Sequence, residues 1–199
     1  MKLRDCFAEL YPHSHEVVVV CALGMAANEW WEVTQCENTF YMHGAMGFAS
    51  SFALGIALTM PDREVWIFDG DGSLCMNLGT LLTASAQAPG NLKHFLVDNR
   101  CYQTVGAVPM VDREKSDYGR IAEGAGIRRV FEVETISALA AALPEIRQDG
   151  HTFVALRVEE ESGPILAPPQ PYEGPEMKYR FARAMERRFG VTVFNAEGY

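Results

Sequence analysis

The sequence predicts an α/β fold of three layers, α/β/α, around a largely parallel sheet. Three observations carry that expectation. Short β-branched or aromatic runs alternate with helical stretches along most of the chain. The clearest runs are apolar throughout, as strands covered on both faces are. A Gly-Asp-Gly triplet follows one of them directly, at the end of a strand where open α/β sheets bind ligands. With 199 residues, 48% hydrophobic and 22% charged, the chain can form one core without a disulfide or metal staple.

The first strand is expected at residues 17–23, where Val17 to Val20, Cys21, Ala22 and Leu23 run unbroken up to Gly24 and a turn. Residues 44–59 read as a helix whose small residues, Gly44, Gly47, Ala49, Ala53, Gly55 and Ala57, leave one face nearly bare for close packing. Strands follow at 64–69 and 93–98, joined by a helix at 74–88. The alternation continues with a helix at 118–125, a strand at 129–133, a helix at 136–147 and a last strand at 152–158. Five prolines between 163 and 175 predict an extended, wrapping segment that leaves the main body. The final helix, 176–189, sets Met177, Phe181, Ala184, Met185 and Phe189 on one face, for docking on its own domain or on a partner. This divides the chain into a main domain, 1–162, and a docking segment, 163–199.

Composition narrows the function classes. A formal charge of −9 repels a phosphate backbone, so nucleic acid is not an expected partner. No apolar stretch reaches the length of a membrane span, and Lys2, Arg4, Asp5 and Glu9 interrupt any signal-peptide core. A cytoplasmic protein is expected. Five cysteines without a CxxC pair argue against a disulfide framework, a zinc ribbon or an iron–sulfur cluster.

The chemistry concentrates at Asp69-Gly70-Asp71-Gly72-Ser73. Between Gly72 and Asn99 there is room for one helical crossover and one returning strand, so Asp71 and Asn99 should meet at the carboxyl ends of neighbouring parallel strands. One carboxylate and one carboxamide oxygen can share a hard cation such as Mg²⁺, which leaves positions for phosphate oxygens and water. Glycines let the backbone approach a diphosphate, and Ser73 offers its N–H and hydroxyl.

Gly70-Asp71-Gly72 followed by Asn99 resembles the signature of thiamine diphosphate-dependent enzymes. His43-Gly44-Ala45-Met46-Gly47 is similar to the segment that holds the aminopyrimidine in their diphosphate-binding domain, and residues 40–109 most resemble sulfopyruvate and phosphonopyruvate decarboxylases. The resemblance implies that Asp71, Asn99 and the Cys101 carbonyl ligate Mg²⁺. It further implies that the Gly44 carbonyl accepts from the cofactor's amino group, and that Met46 is an apolar wedge beneath the cofactor. Gly24, Met25 and Ala26 would give backbone contacts to the diphosphate, while Gln103 and Thr104 would face the substrate. Arg113 or Lys115 could neutralise an acidic substrate or simply be solvated, and His43 could move a proton or be structural. The family's essential glutamate lies on a second, pyrimidine-binding domain for which 199 residues leave no room. The implied protein is therefore the β subunit of a hetero-oligomer, with an α subunit that supplies the glutamate and a small 2-oxo acid as substrate. It would release carbon dioxide and an aldehyde.

Three alternatives stay open at this point. The first is a carboligase subunit of acetolactate synthase type, and the second a non-catalytic cofactor-binding partner. The third is a phosphatase of the haloacid dehalogenase type, which the Asp69-Gly70-Asp71-Gly72-Ser73 run also fits, with Asp69 as nucleophile.

Overall fold

The computed structural model describes residues 1–111, 113–161 and 165–194. The chain opens with helix α1 (Leu3–Leu10), which buries Leu3, Cys6, Phe7 and Leu10 at helical spacing. Strand β1 (Val18–Cys21) is buried at every residue. Gly24 then turns the chain into α2 (Met25–Thr34), and a short β2 (Thr39–Tyr41) follows. Next come α3 (Ala49–Thr59) and β3 (Val65–Gly70), then α4 (Asp71–Cys75) and α5 (Gly79–Gln87). Strand β4 (Leu92–Asp98) leads into a small hairpin of β5 (Cys101–Tyr102) and β6 (Val108–Pro109). The remainder is α6 (Tyr118–Gly124), β7 (Arg129–Val133), α7 (Ile136–Ile146), β8 (Thr152–Arg157) and α8 (Gly174–Phe189).

Six strands form one sheet in the order β2-β1-β3-β4-β8-β7, with every neighbouring pair parallel. Alternate side chains along each strand feed two opposite cores. Val19, Cys21, Trp66, Phe68, Phe95 and Val97 pack under α1, α2 and α7. On the other face Val18, Val20, Val65 and Ile67 meet α3, α5 and α8, while Leu96, Phe153 and Ala155 meet α4, α5 and α6. The three-layer α/β/α architecture read from the sequence is the one observed.

Local differences have identifiable causes. The helix expected over 44–59 begins only at Ala49, because Gly44, Ala45 and Gly47 take left-handed φ values of 67°, 54° and 84° and make a loop. The helix expected over 74–88 is two helices. Its break lies at Met76 to Leu78, where Asn77 Nδ2 donates to the Gly47 carbonyl at 3.0 Å, so the second segment anchors the first. Helices α1 and α2 and strand β2 were not anticipated.

Nor does the proline-rich segment leave the body. Asn28 Nδ2 of α2 donates to the Ala167 carbonyl at 3.0 Å, Ala167 is buried, and Tyr172 meets Trp31 edge to face. Helix α8 then docks on its own domain through Phe181, Ala184 and Met185, with Phe181 against Phe40 of β2. The boundary expected between 162 and 163 falls outside the described residues. Among the described residues no helix is long and apolar enough to cross a membrane.

Candidate functional site

The site forms at the carboxyl edge of the sheet, where β3 and β4 run side by side with Gly70 opposite Val97. That register places Asp71 and Asn99 at adjacent strand ends. The Arg100 backbone N–H donates to Asp71 Oδ2 at 2.6 Å and so joins the two loop tips. Asp71 Oδ1 accepts from the Gly72 N–H at 2.7 Å, so both carboxylate oxygens are oriented by backbone. Asn99 turns its Oδ1 toward the Cys101 N–H at 3.2 Å. Arg100 holds a left-handed φ of 59° at the tip, which sharpens the turn into the β5–β6 hairpin.

These groups line one cleft together with Met25, Ala26, Met46, Gly70, Gly72, Ser73, Cys101, Gln103 and Thr104. Leu23, Val97 and Tyr102 join them, and sequence reasoning did not select Leu23 or Val97. The Tyr102 ring lies so close to Gly72 that a Cβ there would stand 2.6 Å from two ring carbons. A short glycine-to-aromatic contact across the chain leaves no local sequence signal. Gly24 and Gly44, both expected at the cofactor, are not among the residues that line the cleft. Gly24 has φ 92° and backs onto Thr104, while Gly44 opens the loop carrying Met46. That loop is tied down where the Gly47 N–H donates to Ser73 Oγ at 3.0 Å, so Ser73 anchors the Met46 loop to the Gly-Asp-Gly turn.

Electrostatics fit a cation with an anion beside it. Burial pushes the Asp71 carboxyl up to about 7, with the charge of nearby Asp98 adding to the rise and the Gly72 and Arg100 N–H groups opposing it. A buried carboxylate in this state gains strongly from a divalent cation. Asp71 and Asn99 supply hard oxygen donors, and among the described residues no cluster of three or more His, Cys, Asp or Glu competes for the metal. Next to them a Cβ on Gly70 would meet no atom within 4 Å, which marks open space on the cleft wall. The first N–H groups of α2 have no intrahelical partner, and Met25 and Ala26 bring them to the same cleft. The residues present therefore fit Mg²⁺ and a diphosphate.

Other candidates fall elsewhere. Arg113 pairs with Glu160 at 3.0 Å and does not line the cleft, and Lys115 lines a separate polar cavity. His43 Nε2 lies 3.0 Å from the Tyr172 carbonyl and also meets Gln170, which makes it an anchor for the proline-rich segment. Burial pushes the Cys101 thiol up to about 11, and its Sγ donates to Gln103 Oε1, so it is no ready nucleophile. Asp69, which the phosphatase alternative needs as nucleophile, is fully buried beside His94 at 3.7 Å. That alternative's nucleophile is out of reach of a substrate.

Residues 20–156 match the family model described as thiamine pyrophosphate enzyme, C-terminal TPP binding domain. The chain belongs to this family. Its relatives include a sulfopyruvate decarboxylase subunit beta from Methanothermobacter thermautotrophicus, 39% identical over 71% of this chain and 74% of the relative. A second such subunit, from Methanocaldococcus jannaschii, is 33% identical over 85% of this chain and 89% of its own length. A phosphonopyruvate decarboxylase from Streptomyces hygroscopicus is 36% identical over 86% of this chain, which spans only 42% of that enzyme. In fold, the chain superposes on a thiamin diphosphate-dependent enzyme from Mycobacterium smegmatis with a TM-score of 0.69 at 22% identity, covering 81% of this chain and 32% of that one. The family match runs from β1 through β8 and so includes every strand of the main sheet and the whole cleft.

Proposed function

We propose that this chain is the cofactor-binding subunit of a two-chain, thiamine diphosphate- and Mg²⁺-dependent decarboxylase for an acidic 2-oxo acid of the sulfopyruvate or phosphonopyruvate kind. The observation that carries the reading is the bond from the Arg100 N–H to Asp71, which draws the Gly-Asp-Gly turn and the Asn99 turn onto one point. There Asp71, Asn99 and the Cys101 carbonyl would hold Mg²⁺. Gly72, Ser73 and the first turn of α2 would hold the diphosphate. Met46, on a loop pinned by Ser73 and Asn77, would give the rings an apolar support, and the Gly44 carbonyl would receive the amino group. When bound, the cofactor supplies the nucleophilic carbon and the electron sink that loss of carbon dioxide requires. This chain's part is to fix the metal, orient the diphosphate and keep the Met46 loop rigid. Gln103 is held by its own bond to the Glu161 carbonyl at 2.8 Å, which would give the substrate side of the cleft a fixed wall.

The one acid lining the cleft among the described residues is Asp71, which the metal would engage. A glutamate for the pyrimidine ring would then come from an α subunit. Phe48, Phe52, Leu78 and Leu82 are exposed on α3 and at α5, next to the Met46 loop, and offer that subunit an apolar landing. The test is paired. Calorimetry should find Mg²⁺-dependent binding of thiamine diphosphate to the wild-type chain and none to Asp71→Ala. Decarboxylation of sulfopyruvate or phosphonopyruvate should appear only when a pyrimidine-binding partner is added. Undiminished binding by Asp71→Ala would remove the metal assignment, and turnover by the lone chain would remove the divided site.

A further inference from the structure

The loop that carries Met46 is held at its far end by Ser73 and Asn77, which bond to Gly47. At its near end the Met42 N–H donates to the Cys21 carbonyl at 2.9 Å and extends the pairing of β2 with β1 by one residue. Residues 43–46 bridge these two fixed points, and Gly44 and Ala45 do so exposed and in left-handed backbone. Such a stretch keeps one shape only where its surroundings hold it.

His43 provides that hold. Its ring is exposed, yet Nε2 lies 3.0 Å from the Tyr172 carbonyl and also meets the amide nitrogen of Gln170, which is buried. The Gln170 amide is oriented in turn, since its Nε2 donates to the Tyr172 carbonyl at 2.8 Å and its Oε1 accepts from the Tyr172 N–H at 2.6 Å. A primary amide carries two hydrogens, so one remains for a neutral His43 that accepts at Nε2. Tyr172 sits edge to face on Trp31, and the Arg180 guanidinium lies 4.1 Å from the centre of its ring. Helices α2 and α8 thus hold Tyr172 and Gln170, and Gln170 holds His43.

We propose that Gln170 is a positioning residue: through His43 it fixes the loop from Gly44 to Met46 from outside, so that the proline-rich segment sets the shape of one wall of the cofactor cleft. Met46 lines that cleft, and neither His43 nor Gln170 does. Gln170 also lies beyond residue 156, where the family match ends. The inference rests on the cofactor reading above. Cutting the tie loosens the Met46 wall and leaves the Gly70-to-Ser73 turn in place, because Arg100 holds that turn separately through Asp71.

The experiment compares the full chain in five forms: wild type, Gln170→Leu, His43→Leu, the two combined, and His43→Gln, whose amide reaches as far as Nε2 and keeps an acceptor. Calorimetry at saturating Mg²⁺ measures thiamine diphosphate and, separately, inorganic pyrophosphate, which needs only the diphosphate end of the cleft. Each leucine variant should bind thiamine diphosphate about tenfold more weakly, as the loss of one hydrogen bond gives, with pyrophosphate affinity unchanged. The double variant should lose no more than either single one, because both cut the same tie. His43→Gln should stay near wild type. Without cofactor, NMR order parameters of the residue 44–46 amides should fall in the leucine variants from about 0.85 to below about 0.6. Equal losses for the two ligands, wild-type thiamine diphosphate affinity in the leucine variants, or a His43→Gln no better than His43→Leu would each overturn the proposal. A wild-type chain that takes up no thiamine diphosphate would sink the cofactor reading instead. The order parameters then decide alone, and values unchanged by both leucine substitutions end the role of Gln170.

Discussion

Replacing Gly24 by alanine tests how the cleft is built, because two separable costs meet at that residue. Its backbone has φ 92° and ψ −140°, a conformation open to glycine and strained for any residue with a Cβ, which costs about 1–3 kcal/mol. The added Cβ would also stand 2.6 Å from Thr104 Cγ2, well inside carbon–carbon contact, and a β-branched side chain cannot swing clear. Overpacking of this kind costs about 1–3 kcal/mol more. The expected loss is therefore about 2–6 kcal/mol, a large part of a domain's stability. Urea unfolding should show a lower midpoint with an unchanged slope. Thr104→Ser removes the offending methyl, so adding it to Gly24→Ala should recover the packing part and leave the backbone strain. Calorimetry should show weaker thiamine diphosphate binding in the single variant, since Thr104, Met25 and Ala26 line the cleft. A Gly24→Ala midpoint equal to wild type would refute the strain argument, and no recovery with Thr104→Ser would refute the contact.

Two further outcomes follow from particular contacts. Gly72→Ala should drive the Tyr102 ring from its place, since the new Cβ would lie 2.6 Å from two ring carbons. Thiamine diphosphate affinity should fall about tenfold while folding loses about 1–3 kcal/mol, and calorimetry with wild-type affinity would contradict it. His151 is buried with neither ring nitrogen hydrogen-bonded, and burial, aided by the nearby His94 and Lys93, lowers it to about 4. Between pH 6.5 and 4 the unfolded chain takes the proton and the native one does not, so stability is greatest above that window and falls as the pH drops through it. The loss from this group is about 3 kcal/mol, and His151→Leu should flatten that part of a urea-midpoint profile. An unchanged profile would show that another group sets the acid limb.

The motif residues were legible because their chemistry is local. Gly70-Asp71-Gly72 after a strand and Asn99 after the next strand need only a right-handed crossover to meet, and that rule is nearly universal. The Met46 loop was misread as the start of α3 because Gly44 and Gly47 fit helical spacing as well as they fit a left-handed turn. What decides between them is Ser73 and Asn77, about thirty residues away, which bond to Gly47. The same two residues explain why α4 and α5 are separate. Helix α2 was lost behind Gly24, which reads as the end of a strand but also caps the helix that follows. Its place is settled by Trp30, buried and bonded through Nε1 to Thr39 of β2 at 3.0 Å.

By itself the sequence determined the alternation of strands and helices, the layered class, and the identity of the acid and amide that meet at the strand ends. Those follow from side-chain period and chain direction, which neighbouring residues carry. Only the tertiary structure decided that Gln170 meets His43, that Tyr102 lies on Gly72, and that the proline-rich segment folds back along α2 to seat α8. Each of these joins residues distant in the chain through shape and charge, and no short stretch of sequence contains both partners.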